Sequence, residues 1–413
     1  MSWVRFFAAA APPAVLRDGN FRIYAFGNLI SYIGTWAQRV AIGWLSWELT
    51  HQTAWVGLIS LAQILPLVAF GPVSGALLDR HNHRYFAMTV NGAMALFAVL
   101  LYALTAAHLM RIGTLLVITL LLGVANSGYQ AARLTMIHEV VAPSLLTQAI
   151  AANSVIFNLS RAVGPAIGGI VIARYGLAAA FAVNAISFLG ILVALAAVKL
   201  RPREVNKPTG GLFAESREGW RYVVEHPGIR QMMLLSAVTA TLARGVIELL
   251  PVFADTVFHR GSLGLANLTT AVGAGAIVGA LALALAGSTD LLPRVTGLAA
   301  ICLGPLVILF GFCTQFGAGL LISLVFGFAI VLCSVGLQVQ LQALIRASFR
   351  GRVLGLWTAV NIAGPGVGGA LLGGLAHWAT LRIVTVAAGA FCLVLVVGLM
   401  IRANRRLPPT SPA

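Results

Sequence analysis

Apolar residues fall in long blocks along this chain, and polar residues gather in the short stretches between them. Twelve apolar blocks stand out, at residues 23–49, 54–78, 86–108, 112–136, 145–173, 177–198, 230–257, 263–286, 294–313, 317–343, 352–376 and 381–401. A helix needs about 20 residues to cross a bilayer's hydrocarbon. Each block therefore predicts a membrane-spanning helix, with the longer ones tilted or extending past the apolar layer. The predicted fold class is an all-α polytopic membrane protein with twelve transmembrane helices.

Composition agrees. Of 413 residues, 59% are hydrophobic and only 9% are charged, with a mean hydropathy of +0.94. Soluble domains carry roughly 25% charged residues. A cytosolic enzyme and a disordered chain are both excluded. The net charge of +16 comes from 27 Lys+Arg against 11 Asp+Glu. Such an excess on a soluble chain would suggest nucleic acid. Here its distribution explains it, and no nucleic acid is expected. If the N-terminus faces the cytoplasm, nineteen basic residues fall on that side. Only Arg111, Arg174, Arg260 and Arg382 fall on the other, and Arg39, Arg133, Arg161 and Arg244 lie inside spans. The positive-inside rule then places both termini in the cytoplasm, in a bacterial-type inner membrane with lipid as the surrounding solvent. The run FFAAAAPPAVL near the start is interrupted by Pro12 and Pro13. It reads better as an uncleaved interfacial segment than as a signal peptide. The cysteines Cys302, Cys313, Cys333 and Cys392 have no zinc or disulfide spacing.

The predicted organisation is a cytoplasmic segment 1–20, a six-helix bundle 21–198, a linker 199–229, a second six-helix bundle 230–401 and a tail 402–413. The linker has an amphipathic stretch in which Leu212, Phe213, Trp220, Val223 and Val224 would meet the membrane interface, with Arg217 and Arg221 toward phosphates. The halves on either side of it resemble each other. GYQAARLTMI (128–137) matches GLQVQLQALI (336–345), and GPAIGG (164–169) matches GPGVGG (364–369). Parallel repeats of this kind place a substrate site near the midplane, between the halves.

The loop after the second helix contains Gly75, Leu77, Asp79, Arg80 and Arg84. It resembles the major facilitator signature G-x-L-x-D-R-x-x-x-R/K, with Asn82 in place of the usual second glycine. The counterpart around Asp290 and Arg294 is degenerate. Gly75 permits close packing, Asp79 can cap a neighbouring helix, and Arg80 and Arg84 can pair with carboxylates. The resemblance implies a latch that holds the cytoplasmic side shut while the outside is open. GPAIGG in helix five resembles the family's antiporter motif, with Ser160 replacing an upstream glycine. Pro165 bends the helix, and Gly164 and Gly168 form one small face. Gly364 and Pro365 repeat it in helix eleven. Residues 21–50 and 145–169 resemble the transmembrane secretion effector branch of that superfamily, which includes enterobactin-type siderophore exporters and macrolide-type drug exporters. The second half matches it more loosely, through SFRGRVLGLW (348–357).

Charges inside spans are expensive and mark candidate chemistry. On a regular helix, Arg244, Glu248 and Asp255 fall within about 40° of one face. Arg244 and Glu248, four residues apart, are expected to neutralise each other. Either this pair is structural, or Glu248 exchanges a proton while Arg244 keeps it ionised until gating separates them. Arg39 is a further partner for Glu248, and Asp255 ranks below it. Helix one has a polar stripe of Asn28, Tyr32, Thr35, Arg39, Gly43 and Ser46 that predicts a cavity face. Helix four offers Asn126, Gln130 and Arg133; helix ten offers Ser334, Gln338 and Gln342. Arg133 with His138 and Glu139 is either a gate network or surface charge. Arg161 is either satisfied by carbonyls or an anion-attracting cavity charge. Trp36, Tyr129, Phe157 and Trp357 are candidate aromatic walls, and Asn361 joins the candidate substrate site.

No Walker sequence, metal-ligand set or nucleophile–base constellation is present, so no enzyme activity, cofactor or metal is expected. The expected function is secondary active export of a small amphipathic or hydrophobic compound, of drug or siderophore class. It would exchange for protons and act as a monomer. Facilitation, import or lysophospholipid flipping in the same fold, and a non-transporting receptor or scaffold, remain the alternatives.

Overall fold

A computed structural model describes residues 14–201, 212–286, 291–346 and 349–404. The expectations for the N-terminal run, linker residues 202–211, the loop at Asp290, Ser348 and the tail beyond 404 lie outside the described residues. So do the side chains of Leu212 and Phe213. Twelve helical spans follow in order: α1 (Gly19–Thr50), α2 (Thr53–Arg80), α3 (His83–Ala106), α4 (Ile112–Val140), α5 (Leu146–Tyr175), α6 (Leu177–Ala197), α7 (Pro227–Val257), α8 (Gly261–Ala286), α9 (Leu292–Phe312), α10 (Phe316–Leu344), α11 (Arg350–Leu375) and α12 (Leu381–Asn404). Ten are long and apolar enough to cross a membrane on that basis alone. The other two are α1, broken by Arg22, Arg39 and Glu48, and α11, which holds eight glycines.

Local chemistry sets several boundaries. Asp18 caps α1 by accepting from the Phe21 N–H at 3.0 Å. Asn82 caps α3, accepting from the N–H groups of Arg84 and Tyr85. An asparagine in place of the motif's glycine thus supplies a helix start that glycine would supply less well. Gly176 joins α5 to α6 at φ +82°, a left-handed turn that favours glycine.

Packing repeats between the halves. α1 lies against α5 and α6, α2 against α4, and α3 against α4 and α6. In the second half α7 lies against α11 and α12, α8 against α10, and α9 against α10 and α12. Each pair reappears six helices later. The bundles meet through α2–α11 and α5–α8, contacts that the same relation interchanges. A two-fold-like axis between two six-helix bundles requires this. The GPxxGG runs explain part of it. A Cβ on Gly164 or Gly168 would strike α1 at Trp36 and Ala37, and one on Gly364 or Gly368 would strike α7 at Ala240 and Thr241. Small residues at these positions let the backbones touch.

The seam between bundles is tight toward one face only. A Cβ on Gly57 of α2 would lie 2.2 Å from the Gly369 carbonyl oxygen of α11, and one on Gly169 of α5 would lie 2.4 Å from Ala266 Cα of α8. These residues sit toward the face away from the chain's many basic residues. Toward the basic face, Gly71 and Gly75 of α2 and Gly351 and Gly355 of α11 look onto open space.

The linker helix (Leu212–Glu225) departs from expectation. Its Tyr222 ring stacks on Phe349 at 4.3 Å, and its hydroxyl accepts from the Arg346 N–H at 3.3 Å. Glu218 pairs with Arg352 at 2.9 Å, and Val223 is 3% exposed. Val223 is therefore packed into the second bundle rather than against lipid, because Tyr222 and Gly219 beside it dock on the α10–α11 junction. Trp220 and Val224 stay exposed.

Candidate functional site

α7 carries the decisive irregularity. It passes from α-helix into a π-turn (Thr239–Ala243), a 3-10 segment (Arg244–Leu249), a short α-turn (Leu250–Val252) and a second π-turn (Phe253–Val257). Pro251 has no N–H to offer the Ile247 carbonyl, and the Leu250 N–H takes that acceptor instead. Three residues per turn replace 3.6 there. Four residues then subtend about 120° rather than about 40°. The expected Arg244–Glu248 pair is accordingly not formed; the two side chains diverge to different helices.

Glu248 turns toward the first bundle. Its Oε1 accepts from Arg39 Nη2 of α1 at 2.7 Å, and its Oε2 accepts from the Ser60 hydroxyl of α2 at 2.5 Å. One carboxylate on α7 therefore ties two helices of the opposite bundle. Arg244 turns toward α11 and donates to Asn361 Oδ1 at 3.1 Å, while Asn361 Nδ2 donates to Ser236 at 2.9 Å. Arg161 of α5 is half-buried and has no hydrogen-bond or carboxylate partner among the described residues. It is close enough to Arg39 and to Arg244 for their charges to repel. Three arginines thus lie close enough to repel one another at mid-depth, and only Arg39 is paired with the carboxylate of Glu248. Asp255 lies apart, toward the tight face of the seam, where it accepts from Trp47 Nε1 of α1 at 2.9 Å. It is a second tie between α1 and α7, not a member of the charge cluster.

An aromatic wall continues from the cluster toward the basic face. Tyr32 meets Phe157 edge-on at 5.5 Å and Tyr129 at 6.0 Å, and Trp36 meets Phe157 at 6.2 Å. Arg39 lies over the Trp36 ring at 5.5 Å. Arg133 lies over Phe157 at 4.4 Å, so the expected network of Arg133 with Glu139 is not the one formed. Glu139 pairs instead with His83 of α3. Asn126 and Gln130 on α4, and Gln338 and Gln342 on α10, are half-buried. Several expectations fail by burial: Tyr32 and Tyr129 of the expected lining are 2% and 6% exposed, and Ser46 of the α1 stripe is fully buried. Trp357 packs inside the second bundle, at 4% exposure, rather than walling a cavity. Asn28 turns into the first bundle and donates to the Tyr24 carbonyl, so the α1 stripe does not share one cavity face throughout.

Asp79 and Arg80 are exposed and have no partner among the described residues, while Arg84 donates to the Val198 carbonyl at the end of α6. Among the described residues Arg84 makes no carboxylate pair, and the end of α6 lies within its reach instead. The residues missed by sequence reasoning are Ser60, Trp47 and Gly57. Ser60 is one of few polar residues in α2, a detectable signal; Trp47 and Gly57 have no distinguishing pattern.

The profile of the transmembrane secretion effector family matches residues 10–413. The chain belongs to that family. It is a small-molecule transporter of the major facilitator type and not an enzyme. It is similar to the enterobactin exporter EntS of Escherichia coli O1:K1, with 28% identity over 413 residues and 95% of each chain covered. It is also similar to the staphyloferrin A transporter of Staphylococcus aureus, at 23% identity over 256 residues, which span 60% of this chain and 62% of that one. Among solved structures, a bacterial homologue of the human lysosomal transporter Spinster, inward-facing and occupied, superposes with a TM-score of 0.72. That match has 16% identity and covers 98% of this chain and 100% of that one. The nucleoside transporter NupG gives 0.70 at 14% identity, covering 94% and 100%. These two establish the fold alone.

Proposed function

We propose that the protein exports a small anionic compound of the siderophore class across a bacterial inner membrane, in exchange for protons. The observation that carries this reading is the excess of arginine at mid-depth: Arg39, Arg161 and Arg244 lie near one another with Glu248 as the one carboxylate paired among them. An uncompensated guanidinium away from bulk water is costly, by several kcal/mol for a buried ion. A substrate that brings negative charge removes that cost. A cationic drug would add to it, and so the siderophore class is favoured over the drug class. The likeness to a protein named as an enterobactin exporter points the same way.

The basic face is cytoplasmic by its charge, so this conformation is open inward with the outer seam closed. In it, ionised Glu248 clamps Arg39 and Ser60 and holds α7 against α1 and α2. A substrate anion entering from the cytoplasm meets Arg161 and Arg244 and competes with Glu248 for Arg39. Loss of the clamp lets the outer seam open. After the anion departs, Glu248 takes a proton from outside. Protonated, it no longer locks either state, and the bundles rock back. Facing inward, the return of Arg39 drives the proton off and re-forms the clamp. Asp79, Arg80 and Arg84 latch the inner face in the alternate state, and the Gly164–Pro165 and Gly364–Pro365 turns serve as close-packed pivots. The two bundles, 21–198 and 230–401, move as the rocking units, with the linker helix Leu212–Glu225 docked on the second.

Proteoliposomes test this. An inward-directed proton gradient should drive efflux of ferric-free siderophores in the wild type. Glu248→Gln should retain downhill transport and lose the response to the gradient. Gradient-driven efflux that survives in Glu248→Gln overturns the proton assignment, and preference for cationic substrates overturns the charge argument.

A further inference from the structure

Arg133 has no role in that scheme, and its surroundings are unusual. Its guanidinium lies 4.4 Å from the Phe157 ring and 5.8 Å from the Tyr32 ring, with no carboxylate partner among the described residues. Its Nε is buried without a hydrogen-bond partner. So are the hydroxyls of Tyr32 and Tyr129, which are 2% and 6% exposed, and Gln130 Oε1. Two rings do not replace a hydrogen-bonding partner for the buried Nε: a cation–π contact contributes less than an ion pair. Phe157 stands one helical turn from Arg161 on α5, about 6 Å along the axis. The α4–α5–α1 corner therefore places, one turn closer to the basic face than Arg161, a second arginine with no carboxylate partner among the described residues, this one on aromatic surface.

We infer that Arg133, stacked on Phe157, forms a second anion subsite that reads a second negative group on the substrate, about a helical turn from the group held by Arg161. This rests on the anion-export reading and narrows it: the transported compound carries at least two anionic groups, held apart by a planar segment that lies along Trp36 and Phe157. The planar fork of an arginine accepts a carboxylate or a delocalised phenolate in two hydrogen bonds. The buried phenol hydroxyls and Gln130 Oε1 lie behind Arg133 and keep its surroundings polar. Arg133 is thus a specificity-determining residue rather than part of an inner gate.

The test is binding to the full-length protein in detergent micelles, using three probes: benzoate, 1,2-benzenedicarboxylate and 1,4-benzenedicarboxylate. The wild type should bind the 1,4-isomer about tenfold more tightly than benzoate, as one added charge-assisted contact provides. The 1,2-isomer, whose charges lie side by side, should gain less. Arg133→Gln should remove the advantage of the 1,4-isomer over benzoate, whereas Arg161→Gln should weaken all three. Because Arg133→Gln also changes packing on Phe157, Arg133→Lys serves as the second variant: it keeps the charge and loses the fork, so the advantage should fall without vanishing. An undiminished 1,4-preference in Arg133→Gln overturns the second subsite while leaving anion export intact. Failure of the wild type to bind any of the three anions overturns both readings.

Discussion

The clamp between Glu248 and the first bundle sets the resting conformation, and its removal has a calculable effect. Breaking one side of a fully buried ion pair costs about 3–5 kcal/mol. Here the side chains of Arg39 and Glu248 are 25% and 15% exposed, so solvent screening reduces the figure. About 2 kcal/mol is a reasonable value, or roughly a thirtyfold change in the ratio of closed to open outer seam. Ser60 contributes one hydrogen bond to a charged acceptor, and Ser60→Ala should cost about 1 kcal/mol, roughly a fivefold change. Pulsed electron–electron spin resonance can read this directly. Labels at Leu49→Cys and His259→Cys, exposed positions near the ends of α1 and α7, report the outer separation in a background lacking the four native cysteines. Wild type near neutral pH should show one short distance. Arg39→Gln and Glu248→Gln should each add a longer population, and Ser60→Ala a smaller one. The Arg39→Gln/Glu248→Gln double variant should resemble Glu248→Gln alone, because that variant already removes the charge Arg39 pairs with. Distance distributions unchanged across all four variants would refute the clamp.

Other consequences follow from the same contacts. Arg161→Gln should abolish concentrative transport yet leave the thermal midpoint equal to or above that of the wild type, since it removes a charge without a partner; a lowered midpoint contradicts that account. Gly57→Val should prevent closure of the outer seam against Gly369 and shift the spin-label distances outward, with expression retained. Trp47→Phe removes the bond to Asp255 and should shift the outer equilibrium by less than tenfold, measured in the same way. Asn82→Ala removes the cap of α3 and should lower stability by about 1 kcal/mol in a denaturant titration, without altering substrate preference.

Much of this molecule was legible from the residues alone, and the reasons are physical. Membrane spans are readable because every backbone polar group must be satisfied internally, which forces whole helices to be apolar. The repeat was readable because close helix contact leaves few choices but glycine, so GPAIGG and GPGVGG persist at matching positions. Arg39 and Glu248 stood out because ionised groups in a span are rarely accidental. Burial relative to the cavity was less legible. A polar stripe on α1 divides into residues that face the seam, such as Arg39, and residues that satisfy neighbours inside their own bundle, such as Asn28. Helical periodicity alone does not distinguish the two.

The misreading of Arg244 and Glu248 has a sharper cause. The face calculation assumed 100° per residue, and α7 does not keep that angle where it matters. The signal was present: Pro251 lies three residues after Glu248, and a proline must leave the carbonyl four residues before it without its helical donor. The backbone can respond by bending, by binding a side chain, or by tightening to 3-10 geometry, and the tightened segment here packs its Gly245 directly on Gly368. That packing belongs to α11, more than a hundred residues away. A rotation of about 80° in side-chain direction therefore accompanies a tertiary contact that local sequence does not show. Its outcome is functional in scale: it takes Glu248 from a partner on its own helix to one on the opposite bundle, and so turns a local ion pair into a tie between the two moving halves.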